Sequence, residues 1–182
     1  MKKIVSLLVF IPLLSLAAKS KAENLADLKS ADDAVAIKAA QELGNDGAKD
    51  AIEPLGEILK SKRTAGVRIA AASALGRMDV KGRPTTILRE AIETDQDNQV
   101  IYTELLAILN LKDLKNDDLK KAVEFCENNK KSDEFISDII VRIRKVMPKD
   151  EKAAAPAEVK DKPAPTADKP AATPEKPAEP AK

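Results

Sequence analysis

The chain has 182 residues, with 31 Lys and Arg against 30 Asp and Glu, one cysteine and no histidine. A single cysteine cannot form an intrachain disulfide, so the fold depends on buried apolar surface alone. A chain without histidine lacks most nucleophile–base pairs, most zinc sites and the usual proton shuttle near neutral pH. We therefore expect a protein that is not an enzyme and that has no cofactor and no metal site.

The first residues have the pattern of a secretory signal peptide. Lys2 and Lys3 precede an apolar run over residues 4–14. Small residues then offer candidate cleavage sites after Ala17, Ala18 or Ala22. A retained membrane anchor is the alternative, but the apolar run is about half as long as a bilayer requires. We predict a signal peptide over residues 1–22 and an exported mature chain, periplasmic or secreted, without a transmembrane span.

Helices rich in alanine recur in the segment that follows. Residues 67–78, VRIAAASALGRM, place Val67, Ala70, Ala71, Ala74, Leu75 and Met78 on one helical face. Residues 32–45 repeat this pattern, and residues 99–111 carry a more divergent copy. Leu-Gly closes the first two copies, where glycine suits a helix C-terminus.

Helices rich in leucine and isoleucine alternate with these, over residues 48–60, 83–93, 118–126 and 133–147. Asn116 and Ser132 are suitable N-cap residues, and Phe135 lies on the apolar stripe of the last helix. The spacing from Val35 to Val67 to Val100 is 32 and then 33 residues. Such a period indicates stacked supersecondary units.

The alanine helices should be central, because small side chains let neighbouring backbones approach closely from several sides. We predict an all-α, right-handed α-solenoid of stacked antiparallel helix pairs over residues 23–147, with seven or eight helices. A tetratricopeptide array has a similar period, but its aromatic positions are missing here.

Residues 48–78, AKDAIEPLGEILKSKRTAGVRIAAASALGRM, resemble a HEAT-like repeat of the short form found in bilin-lyase proteins. The first helix has the Ala-Ile-x-x-Leu-x-x-x-Leu pattern, and the second opens on Val-Arg and ends on Ala-Leu-Gly. The resemblance implies that Arg68 braces the turn between the helices. It also implies a surface, lined by the second helix of each pair, that binds other macromolecules.

Charge is distributed in bands along the chain. Residues 60–89 carry eight basic residues against one acid, and the segments on either side, 23–59 and 90–104, are acidic. Two interpretations remain open: attraction between repeats that fixes their register, or a docking patch for an acidic partner. The candidate partner-binding residues are Lys60, Lys62, Arg63, Arg68, Arg77, Lys81 and Arg83.

Two further features complete the sequence. Cys126 lies on the apolar stripe of its helix, which favours a buried hydrophobic role over a reactive thiol. From residue 148 onward the chain is built from Ala, Pro, Lys, Glu and Asp, and we predict a disordered spacer over residues 148–182.

Three functions are compatible with this sequence. The first is an exported scaffold that binds another protein, acidic at the contact, through the solenoid. The second is a binder of an anionic polymer or membrane surface through residues 60–89, although the near-neutral total charge argues against nucleic acid. The third, an enzyme or chromophore-attachment factor like the bilin lyases, depends on fold analogy alone.

Overall fold

The computed structural model describes residues 19–148, which form eight α-helices and contain no strand. The helices are α1 (Lys21–Asp27), α2 (Asp33–Asn45), α3 (Ile52–Leu59), α4 (Ala65–Arg77), α5 (Arg83–Thr94), α6 (Asn98–Leu111), α7 (Asp117–Asn129) and α8 (Glu134–Val146). A 3-10 turn, Lys49–Ala51, leads into α3. The predicted signal peptide and tail lie outside the described residues, apart from residues 19–22 and Pro148.

The helices are arranged in two layers. The inner layer contains α2, α4, α6 and α8, each packed against the next. The outer layer contains α3, α5 and α7, which stack in the same order, and α1 packs against α2. Within the described residues the predicted all-α solenoid of helix pairs is therefore confirmed, with eight α-helices.

The alanine-rich α4 lies at the centre of the array, as its sequence predicts. It packs against α2 and α6 in its own layer and against α3 in the outer layer. Ala71 and Ala72 are completely buried, as are Val67 and Leu75. Methyl groups fill this core because a helix contacted from several sides leaves little room between the backbones.

Two glycines have a different role from the one their sequence context suggests. Gly44 and Gly76 lie inside α2 and α4, which continue for one more residue, so neither ends its helix. A Cβ on Gly44 would lie 2.6 Å from the Cα of Ala74, and a Cβ on Gly76 would lie 2.7 Å from the Cα of Ala107. These glycines are required by the close approach of successive inner-layer helices.

The last helix differs from its prediction at two positions. The N-cap of α8 is Asp133 rather than Ser132, because the Asp133 carboxylate accepts a hydrogen bond from the backbone N–H of Ile136 at 3.0 Å. Phe135 is 75% exposed and does not belong to the buried stripe, which starts at Ile136.

The predicted N-cap Asn116 of α7 is confirmed, since its side chain accepts a hydrogen bond from the backbone N–H of Asp118.

Candidate binding surfaces

Arg68 braces the turns of two successive repeats. Its Nη1 donates to the carbonyl oxygen of Arg63 in the α3–α4 turn at 2.5 Å. Its Nε and Nη2 donate to the two carboxylate oxygens of Asp95, in the α5–α6 turn, at 2.8 and 3.1 Å. The side chains of Arg68 and Asp95 are 15% and 5% exposed. Arg68 therefore has the bracing role that the resemblance implies, and its acid comes from the following repeat.

Three other predicted contact residues also pair with carboxylates of a neighbouring repeat. Arg63 donates to Asp33 at 2.6 Å, and Arg83 donates to both carboxylate oxygens of Glu53 at 2.6 and 2.8 Å. Lys60 pairs with Glu90. The partners are about one repeat apart in sequence, 30 residues in each case. This pairing favours the interpretation that the charge bands help to set the register of the repeats.

The seven predicted contact residues are divided between the two ends of α4. Lys60, Lys62 and Arg63 precede the helix, whereas Lys81 and Arg83 follow it. Thirteen residues of helix separate the two groups by about 20 Å.

The remaining three of the seven form no ion pair among the described residues. Arg77, at the end of α4, donates to the side-chain oxygen of Asn45 at 3.1 Å. Lys62 and Lys81 are exposed and form no ion pair among residues 19–148. Their role in partner binding stays a prediction.

A groove opens on the inner layer where α4, α6 and the start of α8 meet. It has a volume of about 370 Å³. Tyr102 and Phe135 form its aromatic wall, with ring centroids 6.4 Å apart and an edge-to-face angle of 78°. The complete lining is Ile69, Asn98, Gln99, Tyr102, Thr103, Asp133 and Phe135. We call this the inner-layer groove.

The solvent-facing side of α6 carries no charge. Glu104 is the one charged residue between Asn98 and Leu111, and it is completely buried. Tyr102, Leu106 and Leu109 are only partly buried on the same helix. An uncharged, partly apolar helix face beside an exposed phenylalanine suits an apolar ligand. Asp133 is the one charged residue in the lining of the groove.

A family model for HEAT repeats matches residues 22–123, which is more than half of the chain. The chain belongs to the HEAT repeat family. A search of curated proteins found no match to it. HEAT repeats are typically non-catalytic scaffolds that mediate protein interactions, and here the match covers α1 to α6 and about half of α7.

Two observations on the described residues concern metal binding and thiol reactivity. No group of three or more Cys, Asp and Glu side chains there could hold a metal ion. Cys126 is completely buried, as predicted, and burial raises the pKa of its thiol to about 12. A thiol with this pKa is almost entirely protonated at neutral pH and a poor nucleophile.

No helix among the described residues has both the length and the apolar composition needed to cross a membrane.

Sequence analysis missed two features of the site. The spacing of four residues to Ile139 predicts a core position for Phe135, but Phe135 lies at the edge of the stripe and points outward. Glu104 belongs to the acidic segment of residues 90–104, which suggests an exposed side chain, whereas the structure buries it. Its spacing predicts the core, because it follows Val100 by four residues and Ile101 by three on the buried face of α6.

Proposed function

We propose that this HEAT array is a non-enzymatic scaffold that binds another protein through the inner-layer groove. The observation that carries the proposal is the aromatic wall of the groove, in which the exposed Phe135 of α8 contacts the partly buried Tyr102 on the uncharged face of α6. Phe135 is 75% exposed. Exposed aromatic side chains beside a groove supply the buried anchor contacts that dominate protein interfaces.

The contacting segment of the partner should be apolar or aromatic and uncharged where it enters the groove. Asn98, Gln99 and Thr103 at the rim can donate to or accept from the backbone of such a segment. The acidic contact that the sequence predicts is a separate hypothesis, because neither Lys62 nor Lys81 lines the groove. The alternative, an anionic polymer held by residues 60–89, would compete with the carboxylates that Lys60, Arg63 and Arg83 already contact.

Affinity capture from an envelope extract tests the proposal with three folded baits. The wild-type protein and a Lys62→Glu/Lys81→Glu variant should retain the same partner, whereas Phe135→Glu should lose it. Each substituted side chain is exposed, so circular dichroism should show unchanged helix content. Capture by Phe135→Glu at the wild-type level, with loss from the lysine variant, would move the site to the basic residues.

We also propose that the chain is exported and that residues 148–182 act as a spacer. The proposal depends on the composition of residues 1–22 and 148–182. The start of α1 bears on the cleavage site, because Ser20 and Glu23 form a capping box there. Cleavage after Ala17 or Ala18 would keep Ser20, and cleavage after Ala22 would remove it. Mass spectrometry of the secreted or periplasmic protein should therefore find a mature chain that begins at residue 18 or 19.

A further inference from the structure

The core of the array contains a carboxyl group without a hydrogen-bond partner. The Glu104 side chain on α6 is completely buried. Neither of its two carboxylate oxygens has a hydrogen-bond partner among the described residues. A buried carboxylate in this situation is costly, because it has lost its hydration and gained nothing in return.

The charged groups around Glu104 do not compensate for its burial. Asp95 faces it from the turn that precedes α6, and Arg68 faces it from α4. The guanidinium of Arg68 is already bound to Asp95 and to the carbonyl oxygen of Arg63. The other titratable neighbour is Cys126 on α7. The side chains that α5 and α8 bury carry no titratable group.

We propose that Glu104 is a proton-dependent lock between α6 and its neighbouring helices: the array closes around the neutral carboxylic acid, and loss of that proton opens the packing of α6. The lock is independent of the proposed binding function, although Tyr102 and Thr103 of the inner-layer groove directly precede Glu104 in the chain. It gives the array a stability that falls as the medium becomes more alkaline.

The electrostatics of the site agree with this proposal. Burial, and then the nearby Asp95 carboxylate, raise the pKa of Glu104 to about 8, while Arg68 opposes the shift. In the open or unfolded chain the same carboxyl has its ordinary pKa, about 4.3. Between these two pH values the closed array holds a proton that the open chain has lost. Each pH unit therefore favours opening by up to tenfold.

Cys126 provides a readout of this opening. It is the only cysteine in the sequence, it is completely buried on α7, and it lies close enough to Glu104 for the two groups to interact electrostatically. A thiol reagent can reach it only when the array opens around α6 and α7. The rate of labelling therefore reports the population of the open form.

The experiment compares wild-type protein with Glu104→Gln, labelled by a maleimide in excess at a series of pH values from 5 to 9. The amide matches the neutral acid in shape and cannot ionise. The chemistry of the exposed thiol cancels in the ratio of the two rates. We expect the wild-type rate, relative to the variant, to rise by up to tenfold per pH unit and to level off above about pH 8. A ratio that stays constant from pH 5 to 9 would overturn the proposal.

A second variant covers the case in which Glu104→Gln does not fold. Glu104→Met is apolar, flexible and similar in length, so it can occupy the same space without a polar group. Urea unfolding midpoints for wild-type protein and Glu104→Met should then diverge as the pH rises from 5 to 8, with the wild-type protein losing stability. Parallel midpoints over this range would contradict the lock.

Discussion

Gly76 of α4 lies directly against Ala107 of α6, so closely that a Cβ on the glycine would stand 2.7 Å from the Cα and 2.8 Å from the Cβ of the alanine. The neighbouring atom is backbone and cannot rotate away. The same relationship joins Gly44 of α2 to Ala74 of α4. Small residues at equivalent positions thus set the distance between successive inner-layer helices.

Gly76→Ala should destabilise the protein by about 2 kcal/mol, because the new methyl group forces α4 and α6 apart. Gly66→Ala is the matched control. The nearest atom to its added Cβ is the Ile37 side chain at 3.7 Å, an ordinary contact, and the loss of glycine flexibility in the unfolded chain should stabilise by up to about 1 kcal/mol. Urea unfolding of both variants measures the difference. Equal stabilities would mean that the helices are not in close contact at Gly76.

Arg68→Ala should destabilise by about 3 kcal/mol, because it leaves the Asp95 carboxylate buried without its cation. Arg83→Ala is the control for an exposed inter-repeat pair: Arg83 and Glu53 are 51% and 61% exposed, and the loss of this solvent-screened pair should change the stability far less. Thermal or urea unfolding separates the two cases. A cost for Arg83→Ala as large as that for Arg68→Ala would show that burial does not distinguish these pairs.

The free energy of unfolding should be greatest near pH 5. Arg83 lowers the pKa of Glu53, and Thr64 and then Arg63 lower the pKa of Asp33, so their contributions are present above about pH 4 and are lost as the pH falls. The contribution of Glu104 to the free energy of unfolding changes with pH in the opposite direction. Its raised pKa of about 8 makes the folded state lose roughly 1.4 kcal/mol per pH unit as the pH rises from about 4.3 to 8.

Salt distinguishes the two limbs of this pH profile. The pairs that act on the acid side are exposed and should weaken in 0.5 M salt, where the screening length is about 4 Å. The buried Glu104 should respond little. Urea unfolding between pH 3 and 9 at low and high salt measures both limbs. A profile that is flat from pH 5 to 8 at both ionic strengths would contradict the assignment to Glu104.

The order and layering of the helices follow from the sequence because one physical pattern repeats. Apolar positions recur at helical spacing, and Val67 and Val100 mark equivalent places in successive units. The inner position of α4 follows from its alanines. The resemblance to HEAT-like repeats also marks Arg68 as a special residue, through the Val-Arg pair that it forms with Val67.

The partners of these residues could not be read from local spacing. Asp95 meets Arg68 across 27 residues, and that contact depends on how two turns stack. A glycine after leucine is typical of a helix end, so local sequence predicts that role for Gly76. Its contact with Ala107 is not visible in local spacing, because Ala107 is 31 residues away in the chain. Phe135 stands one residue before the buried stripe of α8, and its side chain faces Tyr102 in the groove, a contact that spans 33 residues and that local spacing does not show.

Site-specific photo-crosslinking tests the central claim, binding through the inner-layer groove, most directly. A photoreactive phenylalanine analogue is placed at Phe135 in one variant and at Lys62 in another, both exposed positions. Each variant is expressed in the host envelope and irradiated. Binding through the groove predicts a specific protein adduct from position 135 and none from position 62. An adduct from position 62 with none from position 135 would contradict it and place the contact on the basic residues.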